Sequence, residues 1–548
     1  MKKTSYTQER KVFCMKREEQ QRCRAAIPEK LQEAGGLRDG AARRVAEELG
    51  IPEAHVYGVG SFFHLLSAPD VKLRVCQGLS CRLEGAEEVL QQAKDAGLAA
   101  EGCSCLAMCD HPVPALEDRN VLATLTTQSL EGLQGDSLYK HAVTHQQWQT
   151  NIGPQGQDPS TLVNRLHMPH NYDGASYQKA VELGSKEVID IISASGLQGR
   201  GGAGFSAGFK WKSVAAQTTP TKYVVLNADE GEPGTFKDRE VLMRRPDTVV
   251  EGLAIAATMV GATDIYCYLR GAFTKPWDAL QQAIDTFQER GLFPSLNFHL
   301  HAGQGAYICG EETALLEALE GKRGMPRNKP PYPTVEGLWG KPTLVHNVET
   351  IACVPAILER GAEWFRDLGR TGPGTKLYCI SGHVEKPGVY ELPLGVHLDE
   401  LVEAAGGYIG TLKAFSPGGA SSGFLPASER KRPLDFKSLT EVGSMLGSAG
   451  VVVLNETVDM VWAAQQQLIF FEDESCGQCA PCRIGTRFLR ETMERFVAAD
   501  NTDAAREILS FVDEVAWEMN EGSICGLGMV APLPLTSAMR WFPEEFTT

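Results

Sequence analysis

Apolar spacing divides the chain into helical, alternating and polar stretches. Between Cys23 and Leu66 it reads as short helices: Ala41–Leu49 has helical spacing and composition, Gly50 ends it, and Ile51-Pro52-Glu53 opens the next. These predict a small bundle. Lys72-Leu73-Arg74-Val75 alternates as a strand and delivers Cys76. From Gln128 to Asn171 Gln, Gly, Asp and His take over, with Gly153-Pro154 and Asp158-Pro159, which reads as a linker. A helix through Tyr177–Ser193, a strand at Lys222–Leu226, an apolar helix at Val249–Val260 and a strand at Ile265–Leu269 then form an α/β alternation. His346–Thr350 reads as the start of a further helix. Between Lys376 and Val453 strands return: Leu377–Ile380 leads through Glu385-Lys386-Pro387-Gly388 into Val389-Tyr390, and Pro417–Gly423 is a tight loop. This is a small mixed β domain without visible catalytic residues. The remainder is helical, most clearly Val458–Glu472 and Arg487–Ala499.

With 548 residues, 43% hydrophobic and 22% charged, the chain is globular and needs several domains of roughly 100 to 200 residues each. No run of eighteen apolar residues exists, and Met1–Gln20 lacks the apolar core of a secretory signal, so the cytoplasm is the expected compartment, without membrane insertion. A net charge of −16 argues against nucleic acid or an anionic membrane surface as a partner. Fifteen cysteines in such a chain read as thiols, and their spacing becomes the clue to ligation.

Cys76 and Cys81 form one pair and Cys105 and Cys109 another, with Cys103 close by. Four thiolates in two loop pairs can hold an iron-sulfur cluster or zinc; C-x4-C followed by C-x3-C favours [2Fe-2S]. Cys476-x2-Cys479-x2-Cys482 with a remote Cys525 points to [4Fe-4S], because three thiolates in one tight loop match three corners of a cubane. His55 and His64 have no partners at ligand spacing and read as surface or packing residues.

Gly199-Arg200-Gly201-Gly202-Ala203-Gly204-Phe205 contains the letters of a dinucleotide fingerprint, but a helix precedes it and the strand comes about twenty residues later, so it is not an ordinary Rossmann turn. It reads better as a loop lying against a cofactor's phosphate or ring, with charge from Arg200 and Lys210 and a stacking face from Phe205. Asn227, Asp229, Glu230 and Glu232 leave a strand end, where α/β ligands sit; three carboxylates there are either a solvated acidic loop or acceptors for ribose or flavin groups. Gly303 and Gly305 precede a helix whose first turn carries Glu311 and Glu312, residues that can equally serve only the helix dipole.

With these motifs the chain resembles the NADH-oxidising flavoprotein subunits of respiratory complex I, NAD-linked hydrogenases and NAD-dependent formate dehydrogenases. Residues 23–125 resemble the thioredoxin-like [2Fe-2S] subunit and 176–548 the flavoprotein subunit, a fusion similar to a formate dehydrogenase diaphorase. The resemblance implies a multidomain α/β chain: helical region 1–66, thioredoxin-like domain 67–127, linker 128–175, Rossmann-like FMN/NADH domain 176–370, β-grasp domain 371–453 acting as a spacer, and helical [4Fe-4S] domain 454–548. It implies FMN held by Gly199, Arg200, Gly201, Gly202, Lys210, Asn227, Asp229, Glu230, Tyr307, Gly310, Glu311, Glu312, Asn347 and Thr350, and NADH met by Phe205, Glu232, Glu312, Lys329 and Tyr332. The ligands would be Cys76, Cys81, Cys105 and Cys109 for [2Fe-2S] and Cys476, Cys479, Cys482 and Cys525 for [4Fe-4S], with Cys103 an alternative to Cys105. No side chain is then a catalytic acid or nucleophile, since FMN carries the hydride chemistry. The implied partner is a subunit with iron-sulfur clusters, foremost a molybdenum or tungsten formate dehydrogenase; hydrogenase and NADH:quinone oxidoreductase assemblies, or a flavin-free relay, are the alternatives. Ser206 stands where the family has proline, which would loosen the loop.

Overall fold

The computed structural model describes residues 17–130, 148–154, 156–499 and 502–547. The reading of Met1–Gln20 as lacking a secretory signal, and part of the polar stretch, 131–147, therefore fall largely outside the described residues. Helices Ile27–Glu33, Ala41–Leu49 and Glu53–Gly60 form the expected bundle, and Gly50 ends the second with φ 64°, the left-handed backbone that glycine adopts without steric cost. The bundle shares its apolar core with the rest of the chain, because Val45, Val56 and Phe63 belong with Ile308, Leu315 and Leu338 to one buried cluster. Next comes a sheet in which Leu73–Cys76 lies between parallel Ala100–Cys103 and antiparallel Ala115–Glu117, with Asn120–Leu122 outermost.

The middle of the chain carries a parallel sheet in the order Asn297–Ala302, Asp264–Leu269, Tyr223–Ala228, Thr343–Asn347. The chain enters at Tyr223–Ala228, builds two strands to one side and returns to the other, so strand order reverses between Tyr223–Ala228 and Thr343–Asn347. That reversal opens a crevice beyond the carboxyl ends of the strands. Two of these strands are absent from the sequence reading. His346 and Asn347, read as a helix start, close the strand, and the helix runs Val348–Arg360 with the Asn347 side chain accepting from Glu349 N at 3.0 Å. Helix Pro246–Val260, almost wholly buried, packs between Ala175–Ser195 and Val348–Arg360.

The third sheet runs Leu425–Pro426, Leu412–Ser416, Gly450–Asn455, Thr375–Gly382, Gly388–Pro393 and then Asn151–Gly153. The last strand comes from the stretch read as a linker. It pairs parallel with Gly388–Tyr390, and Glu391 accepts from the backbone N–H groups of Val163, Asn164 and Arg165 at 2.6, 2.9 and 3.0 Å. Polar composition here serves hydrogen bonding, and these residues are built into the body of the protein. C-terminal helices Met460–Asp473, Ala480–Val497, Val512–Gly522 and Leu533–Trp541 pack together. Ala480–Val497 begins earlier than its apolar pattern suggested: Pro481 sits in the first turn, where its missing N–H costs nothing, so Cys482 is helical. Among the described residues no helix is long and apolar enough to cross a membrane.

Candidate functional site

The site grows from the glycine loop. Helix Ala175–Ser195 ends at Gly196, Gln198 and Ser206 bridge, and Gly199 N donates to Phe205 O at 2.8 Å, closing the turn. Ser206 does not loosen it: its side chain caps helix Ala207–Ala215 by accepting from Phe209 N at 3.3 Å. A Cβ on Gly201 would stand 2.9 Å from Asn347 Cβ, so this backbone rests directly on a strand end. Gly202 faces open space.

Asn227 and Asn347 are register partners on adjacent strands, beneath the loop. Arg200 N donates to Thr350 Oγ1 at 2.8 Å, and Asn227 Nδ2 to Gly310 O at 2.7 Å. Gly199 to Gly202, Asn227, Gly310, Asn347 and Thr350 therefore line one crevice, at the reversal of strand order. Arg200 is placed differently from the expected open charge. Its side chain is fully buried, donates to Pro373 O at 2.7 Å, and leaves Nε and Nη1 without partners. It belongs to a buried floor: Lys237 lies 3.1 Å and Lys376 2.5 Å from Glu349, Lys237 lies 2.7 Å from Asp238, and Asn347 Nδ2 donates to Asp238 at 2.6 Å. Lys237 also faces Glu230, whose carboxyl burial pushes up to about 8 and so keeps largely neutral; three cations then stand against two ionised carboxylates, a positive excess suited to a phosphate. Burial pushes the Glu349 carboxyl up, but Lys376, Lys237 and Arg200 outweigh it and hold it below its ordinary value.

On the other side of the crevice Lys210 pairs with Glu312 at 2.7 Å and Lys329 with Glu311 at 2.7 Å. Glu311 also caps helix Glu312–Leu319, accepting from the N–H groups of Thr313 and Ala314. Phe205 and Tyr332 are 52% and 56% exposed, aromatic faces on neighbouring elements that give a flat ring somewhere to stack. Glu232 is held from inside: Tyr307 Oη donates to it at 2.5 Å, Ser421 N at 2.8 Å and Ser421 Oγ at 2.9 Å. Ser421 comes from the Pro417–Gly423 loop, so the β-grasp region takes part in the site and is more than a spacer. Burial pushes Asp229 up to about 7 and Glu230 up to about 8, the latter although two N–H groups of helix Lys237–Arg244 donate to it at 2.8 and 3.0 Å.

The thiols gather in two sets. Cys76 Sγ lies 3.5 Å from Cys81 Sγ, and Cys105 Sγ 3.5 Å from Cys109 Sγ. Two thiolates on one tetrahedral metal at about 2.3 Å stand about 3.8 Å apart, so each pair fits one iron. Cys105 is a free thiol that interacts with both Cys109 and Cys76, whereas Cys103 lines a cleft with Asp229, Arg270 and Tyr307; the structure gathers Cys105 and leaves Cys103 out. Cys476, Cys479, Cys482 and Cys525 lie near enough for the other three thiols to act electrostatically on Cys482. Burial pushes Cys482 up to about 12 and Cys525 up to about 11, so without metal these thiols stay neutral, and iron must supply the charge that ionises them.

Residues 192–356 match the Nuo51 FMN-binding domain, 462–548 the iron-sulfur binding region of NADH-ubiquinone oxidoreductase F, 377–425 the SLBB domain, and 12–133 the thioredoxin-like [2Fe-2S] ferredoxin. The NADH-quinone oxidoreductase F 2 protein of Rhizobium meliloti is 44% identical over 397 residues, 69% of this chain and 94% of that protein. The chain belongs to the NADH-quinone oxidoreductase F family. The NADH-quinone oxidoreductase F protein of Rickettsia typhi is 45% identical over 378 residues, 67% of this chain and 89% of that one. An NAD+-reducing [NiFe]-hydrogenase in the H2-reduced state superposes with a TM-score of 0.88 at 29% identity, covering 95% of this chain and 93% of that chain.

As a family member the chain is an oxidoreductase subunit that takes FMN, [4Fe-4S] and [2Fe-2S]. The crevice fits FMN through its positive floor, the close approach at Gly201 and the open space at Gly202. Sequence reading passed over Lys237, Glu349, Ser421, Arg270 and Glu474. Lys237-Asp238-Arg239-Glu240 is wholly buried, yet a charge run of that kind reads as a solvated helix face, and no spacing signals otherwise.

Proposed function

We propose that the chain is the diaphorase subunit of a larger oxidoreductase, exchanging hydride between NAD(H) and FMN and passing electrons singly to or from a partner subunit. The observation that carries this reading is that both cysteine sets meet at one residue, Glu474, which also holds Tyr307 beside the crevice. Glu474, two residues before Cys476, accepts from Ser104, which precedes Cys105, and from Tyr307 N at 2.9 Å. FMN, when bound, takes two electrons as hydride and gives them up one at a time, which NAD(H) and iron-sulfur clusters cannot do for each other.

The protein's share is placement. In this reading Gly199, Gly201 and Gly202 bring backbone to the flavin, Asn227, Asn347 and Thr350 hold it from the strand ends, and the floor under Asn347 meets the phosphate. Arg200, Lys210, Asp229, Glu230, Tyr307, Gly310, Glu311 and Glu312 complete the cradle, with Arg200 acting through its backbone and buried charge. Phe205, Tyr332 and Lys329 meet NAD(H) at the mouth. Glu232 holds Tyr307 and Ser421 with three donors, leaving one carboxylate acceptor position for a nucleotide hydroxyl. Cys76, Cys81, Cys105 and Cys109 ligate [2Fe-2S]; Cys476, Cys479, Cys482 and Cys525 ligate [4Fe-4S].

For the partner, full-length similarity to the hydrogenase chain and the identity to the NADH-quinone oxidoreductase F proteins favour an NAD-linked hydrogenase or NADH:quinone assembly. The formate dehydrogenase reading rests on the fused architecture alone. Purified protein with a flavin spectrum and NADH:ferricyanide reductase activity is the expected result, and protein with neither refutes the reading. Metal analysis of the co-purifying subunits separates the partners: nickel supports hydrogenase, molybdenum or tungsten supports formate dehydrogenase.

A further inference from the structure

Arg270 leaves the end of strand Asp264–Leu269 at the crevice, on the flavin side, yet its guanidinium reaches the other domain. Nη1 donates to the carbonyl of Glu230, and Nη2 to the carbonyl of Cys105, one of the gathered thiols. The backbone holds it there, since Arg270 N donates to Ala228 O at 3.1 Å. The cleft beside it is lined by Arg74, His64, Cys103, Asp229 and Glu474. The same loop is gripped twice more from outside its own domain: Arg239 donates to the carbonyl of Ala107 at 2.6 Å, and Ser104 bonds to Glu474. The loop's shape is therefore set from outside its own domain, by Arg270 and Arg239 of the flavin-binding part and by Glu474 of the C-terminal part.

We propose that Arg270 is a positioning residue that raises the reduction potential of the [2Fe-2S] centre and holds its ligand loop against the flavin crevice. Reduction adds one electron, hence one negative charge, to a cluster held by four thiolates. A fixed cation bonded to a ligand's own carbonyl stabilises the reduced form more than the oxidised one. One guanidinium bridging both carbonyls makes this potential depend on how the two domains are docked.

The test is an EPR-monitored redox titration of the full-length holoprotein and its variants R270Q and R270K. R270Q removes the charge, and the reduced-to-oxidised ratio of [2Fe-2S] at fixed potential is expected to fall about tenfold or more. R270K keeps the charge but cannot span both carbonyls, and a fall of about threefold is expected. The [4Fe-4S] potential stays at its wild-type value in both. An unshifted [2Fe-2S] potential in either variant that assembles the cluster overturns the proposal, as does an equal shift at both clusters, which would report general loosening. If R270Q assembles no cluster, R270K decides alone. The proposal rests on the [2Fe-2S] assignment, and the two fail separately: a wild-type protein without a [2Fe-2S] signal defeats the assignment, whereas a wild-type signal with unshifted variants defeats only the role of Arg270.

Discussion

Replacing Arg239 by methionine removes one of the two charges, with Arg270, that join the [2Fe-2S] part of the chain to the flavin part. The guanidinium is 2% exposed and donates to both Asp110 oxygens at 3.1 and 2.9 Å, to Ala107 O at 2.6 Å, to Thr150 Oγ1 at 2.8 Å and to Glu240 at 3.0 Å. Breaking a buried ion pair from one side costs about 3–5 kcal/mol, because the other charge is stranded. Here the lower end applies: Glu240 keeps Arg244 at 2.7 Å, and Asp110 keeps Thr150 at 2.7 Å. A loss of about 3 kcal/mol at a urea dependence of about 2 kcal/mol/M moves a midpoint by about 1.5 M. Because a multidomain chain does not unfold in one step, the [2Fe-2S] absorbance and the flavin fluorescence have to be followed separately through the titration. In R239M the cluster signal is expected to collapse about 1.5 M earlier while flavin release keeps its wild-type midpoint. A shift below about 0.3 M, or an equal shift of both signals, refutes the idea that this charge carries the docking. Adding D110N to R239M should cost less than the two single changes summed, since the stranded carboxylate is then gone.

Gly201→Ala pushes a methyl group against Asn347 at 2.9 Å, and a several-fold drop in bound flavin per chain is the expected result; full flavin content would show that the loop yields. Cys105→Ser should abolish the [2Fe-2S] EPR signal and Cys103→Ser should spare it, with the reverse result moving the ligand by two residues. Cys482→Ser should remove the [4Fe-4S] signal alone. Burial raises the Asp229 carboxyl to about 7 in the folded state against about 3.9 unfolded, so the folded state binds the extra proton and stability falls as pH rises from about 4 to about 7, then levels off. Asp229→Asn lacks this fall, and its urea stability relative to wild type is expected to gain about 2 kcal/mol between pH 5.5 and pH 7.5; a pH-independent difference would place the burial effect elsewhere.

The parts of the protein legible along the chain are those whose chemistry is local. Cys476, Cys479 and Cys482 lie within one turn of chain, so their spacing alone announces a shared cluster. Gly199 to Phe205 announces backbone exposure, and the helix before it with the strand after it excludes an ordinary Rossmann turn, as found. The glycine loop, the strand at Tyr223–Ala228 and the β-rich stretch after Lys376 were all readable from spacing. The tertiary structure decided what those pieces face. Thr343–Asn347 was hidden because its last two residues, His346 and Asn347, read with Val348–Thr350 as a helix start, yet pairing with Tyr223–Ala228 makes it the second wall of the crevice. The polar stretch around Asn151 became a strand because Gly388–Tyr390 offered an unpaired edge. Lys237, Arg239, Glu349 and Lys376 are buried charges that each have a partner far away in sequence, and only packing shows whether such a residue meets water or an opposite charge. Ser421, Arg270 and Glu474 connect separate domains at the site for the same reason: a hydrogen bond between domains depends on how they dock, and no periodicity within one segment records that.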